Sequence, residues 1–195
     1  MNLKSLKEEL SSMTDNIYFD SNECLREKSS NPSQLIQIII KAETILEQMI
    51  EDKLDNKDEK YFLYGTLGNL YRIYGKPRIA IKYLKLNLDH SINERNYTRE
   101  IISLIRLGEA LKYDNKHEKA LGKFNQALIK CNKPELNTYL DFVFQHKGKC
   151  LLELKRVEEA MKCFQEALEL RKLKGSTNLI NSTKEAIEFA RCMQN

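Results

Sequence analysis

The strongest constraint on this chain is an internal repeat of 40 residues. Gly68, Gly108 and Gly148 are spaced by that period, and so are Ala80, Ala120 and Ala160. Leu84, Phe124 and Phe164 keep the same interval, as do Leu88, Leu128 and Leu168. Asn87, Ala127 and Ala167 form a fifth, mostly small register. A repeat of this length is one supersecondary unit that cannot bury its apolar face alone. Stacked neighbours must cover it, so the repeat predicts a solenoid.

Each copy reads as two amphipathic helices. In the second copy Leu104, Leu107, Gly108 and Leu111 fall at i, i+3, i+4 and i+7, one helical face. The polar break Asp114-Asn115-Lys116 follows. Ala120, Leu121, Phe124, Ala127 and Leu128 then make a second face. The first copy breaks at Gly75-Lys76-Pro77, where Gly suits a helix end and Pro a helix start. The third breaks near Leu154-Lys155-Arg156 with weaker punctuation. Seven glycines and three prolines are too few for the many tight turns of an all-β sandwich.

The first copy reads Tyr64-x2-Leu67-Gly68-x2-Tyr71, then Ala80-x3-Leu84. The second reads Leu104-x2-Leu107-Gly108-x2-Leu111, then Ala120-x3-Phe124; the third reads Phe144-x2-Lys147-Gly148-x2-Leu151, then Ala160-x3-Phe164. This pattern resembles the tetratricopeptide repeat (TPR) family. The resemblance implies an all-α, right-handed superhelical solenoid of antiparallel helix pairs, with repeats at 61–97, 98–137 and 138–175. The family repeat is about 34 residues, so a period of 40 predicts longer helices or looser turns. Lys147 replaces the usual leucine, which weakens the third copy. Residues 1–60 read as an N-terminal helical segment. It holds one or two short helices over 2–28 and a degenerate repeat helix over 33–53. Residues 176–195 read as a capping helix with Leu179, Ile180, Ala186, Ile187, Phe189 and Ala190 on its apolar face.

The sequence nominates no catalytic residue. It lacks a Walker A loop, G-x-G-x-x-G, H-E-x-x-H and G-x-S-x-G. His90 and His117 are dispersed near helix ends and expected to be exposed; His146 and Cys150 are four apart but lack further ligands for a metal. No cofactor and no metal are expected. Tyr64 and Tyr71, in a cluster with Tyr61, Tyr74 and Tyr83, read as core. Five cysteines without paired spacing and no apolar leader point to reduced thiols in a cytoplasm. No apolar run reaches the ~18 residues of a membrane span, so no membrane partner is expected.

Charge divides the chain. Residues 1–60 hold 8 basic and 13 acidic residues, a net of −5; residues 61–195 hold 24 and 15, a net of +9. The acidic segment could therefore fold over the basic array. Basic and acidic residues alternate and no exposed stacking aromatics are evident, which disfavours nucleic acid as the partner. Self-association through repeat ends stays open.

The resemblance implies that the first helix of each pair lines a concave groove. Anchored on the glycines, that groove would offer Phe62, Asn69 and Arg72 from the first repeat. It would offer Ile102, Ile105, Glu109 and Lys112 from the second, and Phe142, Gln145, Lys149 and Leu152 from the third. Apolar side chains there read as a contact surface, with Arg72, Lys112 and Lys149 supplying charge matching. A carboxylate clamp of the chaperone-tail type is not expected, because Gly65 and Ile102 stand where its lysines would be. The expected function is a non-catalytic adaptor that binds a protein or peptide, for example an immunity protein neutralising a toxin. The alternatives are a chaperone for a secreted protein, a peptide-sensing regulator and, last, an RNA-binding repeat.

Overall fold

The computed structural model describes residues 2–54 and 56–193. Helix α1 (Leu3–Met13) is followed by strands β1 (Ile17–Asp20) and β2 (Arg26–Ser29) and by α2 (Pro32–Glu51). Then come α3 (Lys57–Ile73), α4 (Pro77–Asn93), α5 (Tyr97–Tyr113), α6 (His117–Cys131), α7 (Leu140–Glu153), α8 (Val157–Lys174) and α9 (Thr177–Cys192). The pairs α3/α4, α5/α6 and α7/α8 pack as hairpins, α4 stacks on α5, and α6 stacks on α7. Helices α3 and α5 also touch, as do α5 and α7, so the first helices share one side.

The long period comes from the helices, not from loose turns. Helices α3, α4 and α5 each have 17 residues and are separated by turns of three. A left-handed residue recurs at intervals of 20 or 40 in these turns: Gly75 (φ 80°), Arg95 (50°), Asn115 (56°) and Lys155 (58°) in the middle of three-residue turns, and Gly175 (68°) directly after α8. The next N–H reaches back five residues, as Lys76 to Tyr71 (2.8 Å), Lys116 to Leu111 (2.9 Å) and Arg156 to Leu151 (2.9 Å). This Schellman closure satisfies carbonyls that the helix end leaves free. Position 135 breaks the series, because α6 stops at Cys131 and a 3-10 turn (Pro134–Tyr139) leads into α7.

The repeated glycines have a steric cause. A Cβ at position 68 would lie 2.4 Å from Leu84 Cγ. At 108 and 148 it would lie 2.6 Å and 2.5 Å from Phe124 and Phe164 Cε1. The ring or leucine of one helix thus lies flat on the bare backbone of its partner, fully buried in all three copies. Lys147 keeps its charge at the surface by donating to Asn125 Oδ1 at 2.9 Å. Helix α9 packs on α8 through Thr183, Ala186, Ile187 and Ala190. Buried Arg171 ties the end together, donating to Asp141 (3.0 Å), Thr183 Oγ1 (2.6 Å) and the Leu179 carbonyl (3.1 Å).

Residues 32–51 form the expected helix, capped by Asn31 Oδ1 accepting from Gln34 N (3.1 Å). Of the one or two short helices expected within 2–28, the structure has α1. Only α1 is an α-helix there, and residues 17–29 form an antiparallel hairpin that pairs Ile17 with Ser29 and Asp20 with Arg26. Ile17-Tyr18-Phe19 is β-branched and aromatic, with no helical apolar period beyond it. Asp20 turns the chain by accepting from Asn22 N (2.9 Å), and Cys24 and Leu25 both adopt left-handed backbone.

Gly108→Ala should destabilise the fold by about 1–3 kcal/mol, since its Cβ meets a buried ring on a facing helix. Urea unfolding checks this. Phe124→Leu introduced into that variant should recover part of the loss, because it removes the atoms that clash.

Candidate functional site

The shared side of α3, α5 and α7 is the candidate site, and the N-terminal segment divides it in two. One part is open. A cavity of about 350 Å³ is lined by Asn69 and Arg72 of α3, by Ile102, Ile105, Arg106 and Glu109 of α5, and by Tyr139, Phe142 and His146. Glu27 of β2 forms its edge. A neighbouring cavity of about 300 Å³ shares Glu27, Asn69 and Arg106 and runs toward Leu10 and Met13 of α1. Arg106 stands at the junction of the two. Among the described residues it makes no hydrogen bond or ion pair, and burial together with Arg72 lowers its pKa. A guanidinium in that position is a ready partner for a carboxylate.

The other part is covered by the hairpin. Arg26 grips Glu153 of α7 with two bonds, Nη2 to Oε2 at 2.6 Å and Nε to Oε1 at 2.9 Å. Its Nη2 also donates to the Lys112 carbonyl (3.1 Å) and to Asn115 Oδ1 (3.0 Å). Glu27 pairs with Arg72, and its N–H donates to the Tyr113 hydroxyl at 2.5 Å. Lys149 Nζ donates to the Leu25 carbonyl (3.3 Å) and lies 3.8 Å from the Phe19 ring centre. Ile17 packs against the core of α1–α3, while Leu25 packs against that of α4–α9. The hairpin therefore bridges the two cores.

Beneath it lies a buried chain of charges. Glu109 faces Lys112 Nζ (3.1 Å), His146 Nδ1 (3.2 Å) and Arg72 Nη1 (3.6 Å). Glu153 faces Lys112 (3.7 Å) as well as His117 Nε2 (2.7 Å). The Tyr113 ring lies 4.7 Å from the Arg72 guanidinium and 5.2 Å from Lys112 Nζ. Burial opposes the charge on Glu109, but Lys112, His146 and Arg72 outweigh it and hold its pKa well below the carboxylate range. Burial likewise opposes the charge on Glu27, and Arg72 outweighs it. Lys149 has no such surplus of anions. Burial and the nearby Lys112 push its pKa down to about 8.

The structure distributes the residues expected in the groove. Asn69, Arg72, Ile102, Ile105, Glu109 and Phe142 line the open cavity. Phe62 does not reach it; it packs with the α1–α3 core, and Lys7 Nζ lies 5.1 Å from its ring centre. Lys112 and Leu152 are fully buried, and Gln145 and Lys149 nearly so. Arg72, Lys112 and Lys149 are therefore not free cations at the surface, because the hairpin and the buried carboxylates take them. His90 and His117 are half-buried, correcting their expected exposure. Cys150 Sγ donates to the His117 carbonyl (3.7 Å), away from the Glu109 contact of His146. Tyr64 and Tyr71 pack on the core as expected. The Tyr71 hydroxyl also donates to Glu43, as does that of Tyr83. Arg106, Tyr139, His146, Glu153 and the hairpin pair Arg26-Glu27 were missed. Arg106 lies four residues after Ile102 and belongs to the same helical face, so spacing alone could have found it. Nothing local to Arg26-Glu27 reveals that it meets residues 45 or more positions away.

The tetratricopeptide repeat model matches residues 142–173. No curated protein matches the sequence. Among solved structures, the chain is similar to the apo form of RapI (TM-score 0.69, 16% identity), covering 82% of this chain and 58% of RapI. It is also similar to a Rap protein complexed with Competence and Sporulation Factor (0.64, 16%, covering 85% and 51%). A third likeness is to a putative kinesin light chain of Podosopora anserina with TPR-like repeats (0.63, 12%, covering 98% and 94%). The chain thus spans a little over half the length of the two Rap structures. At these identities the likeness shows the fold: an all-α, right-handed superhelical solenoid of antiparallel helix pairs. No described helix is long and apolar enough to cross a membrane.

The hairpin seat carries a pH signature. Between about 8 and the ordinary lysine value of 10.5 the unfolded chain keeps the Lys149 proton and the folded one releases it. The unfolded state binds more protons there, so this group's contribution to stability rises with pH. Relative to Lys149→Met, the wild-type protein should gain about 2 kcal/mol between pH 7 and pH 10 in urea unfolding. A constant difference across that range would mean that Lys149 titrates normally.

Proposed function

We propose that this chain, a tetratricopeptide-repeat protein, is a non-catalytic module that binds a protein or peptide partner in its concave groove. The observation that carries this reading is the open cavity beside the hairpin. Its lining combines the apolar Ile102, Ile105 and Phe142 with Arg106, which has no hydrogen bond or ion pair among the described residues. Burying an apolar side chain against that lining supplies affinity, and a carboxylate meeting Arg106 supplies orientation. The fit is to an extended segment with an apolar residue next to an acidic one. A structural neighbour complexed with Competence and Sporulation Factor supports a peptide-responsive role over the immunity and secretion-chaperone roles.

Arg106→Glu tests the reading. Because Arg106 has no hydrogen bond or ion pair among the described residues, its reversal should leave the thermal melt nearly unchanged. A partner captured by the wild-type protein should bind the variant at least about tenfold more weakly, the scale of one lost charge-assisted contact. Equal binding of that partner by both proteins would place its site elsewhere.

A further inference from the structure

The hairpin covers a surface that has the features of a recognition site rather than of a core. Its seat is polar: Glu153, Arg72, Lys149, Tyr113 and the Lys112 carbonyl each meet the backbone or a charged side chain of Leu25-Arg26-Glu27. Beneath it Arg72 Nη1, Lys112 Nζ and His146 Nδ1 meet the Glu109 carboxylate at 3.6, 3.1 and 3.2 Å, contacts that lack hydrogen-bond geometry. The hairpin itself is short, with four residues per strand, and a two-stranded ribbon of that size has little stability of its own. Cys24 and Leu25 are strained in left-handed backbone, and Tyr18 and Phe19 stay 47% and 39% exposed. Such an element lies at the low end of local stability.

We infer that residues 17–29 are an internal ligand of the groove, and that the seat beneath them recognises a partner segment presenting an apolar, a basic and an acidic residue in succession. The partner takes the seat by repeating the contacts of Leu25, Arg26 and Glu27: a carbonyl to Lys149, a guanidinium to Glu153 and a carboxylate to Arg72. This goes beyond the open cavity at Arg106, because it concerns a surface that the free protein covers with its own chain.

Two measurements on the full-length protein test it. In wild-type protein, amide exchange of residues 17–29 should proceed by local opening, at least about 100-fold faster than that of the α5 and α7 interiors. Exchange of the hairpin only together with those helices would overturn the inference by making it part of the cooperative core. The second uses a synthetic peptide of residues 15–31 with Cys24→Ser. The double variant Arg26→Glu/Glu27→Arg sets like charges against Glu153 and Arg72 and should release its own hairpin. It should then bind the peptide, while wild-type protein binds at least about tenfold more weakly because its seat is filled. A peptide with Arg26 and Glu27 exchanged should not bind. Equal binding of both peptides, or none by the folded variant, would overturn the inference. So would hairpin exchange between two copies, seen as a dimer, in place of peptide capture. The exchange experiment decides on its own if the variant does not fold, and neither measurement involves Arg106.

Discussion

The site depends on one arrangement, the alternation of charges from Arg26 through Glu153, Lys112, Glu109 and Arg72 to Glu27. Each of these ions is costly to bury alone and tolerable between opposite charges. Two of the six are in the hairpin, and four are in α3, α5 and α7. The solenoid supplies the concave wall with two cations and two carboxylates, and the seated hairpin adds one of each, giving Glu153 and Arg72 a further opposite charge. The N-terminal segment is thereby drawn into the groove instead of lying along the outside.

The solenoid provides what the charges need, which is a fixed spacing between first helices. That spacing comes from the bare backbone at Gly68, Gly108 and Gly148, each pressed by a buried side chain from the second helix of its own pair. Three-residue turns with left-handed middle residues at Gly75, Arg95, Asn115 and Lys155 keep those helices in step. The interruption before α7 has a local consequence. The 3-10 turn places Tyr139 and Phe142 at the mouth of the open cavity, where their rings lie 6.3 Å apart.

Much of the architecture was legible in the sequence, because a repeat writes its packing three times. The glycine, alanine and aromatic registers all appear in the contacts, and so does the terminal helix over α8. Turns at Arg95 and Lys155 were less legible, since long side chains seldom mark left-handed backbone. The groove was legible only in outline. Helical spacing found Ile102, Ile105 and Glu109 but passed over Arg106 on the same face. It also marked Lys112 and Lys149 as open when they are buried. The charge division pointed toward the acidic segment covering the basic array. The hairpin that does so draws its meaning from contacts with α3, α5 and α7, which no local pattern encodes.

The central claim is that hairpin and solenoid are coupled through these charges. A double-mutant cycle on Glu27→Gln and Arg72→Met, read by urea unfolding, tests it most directly. The account predicts a coupling of about 1–3 kcal/mol, the range for residues in one ion network. Additivity within about 0.5 kcal/mol would contradict it and leave the hairpin resting on the groove without being held by it.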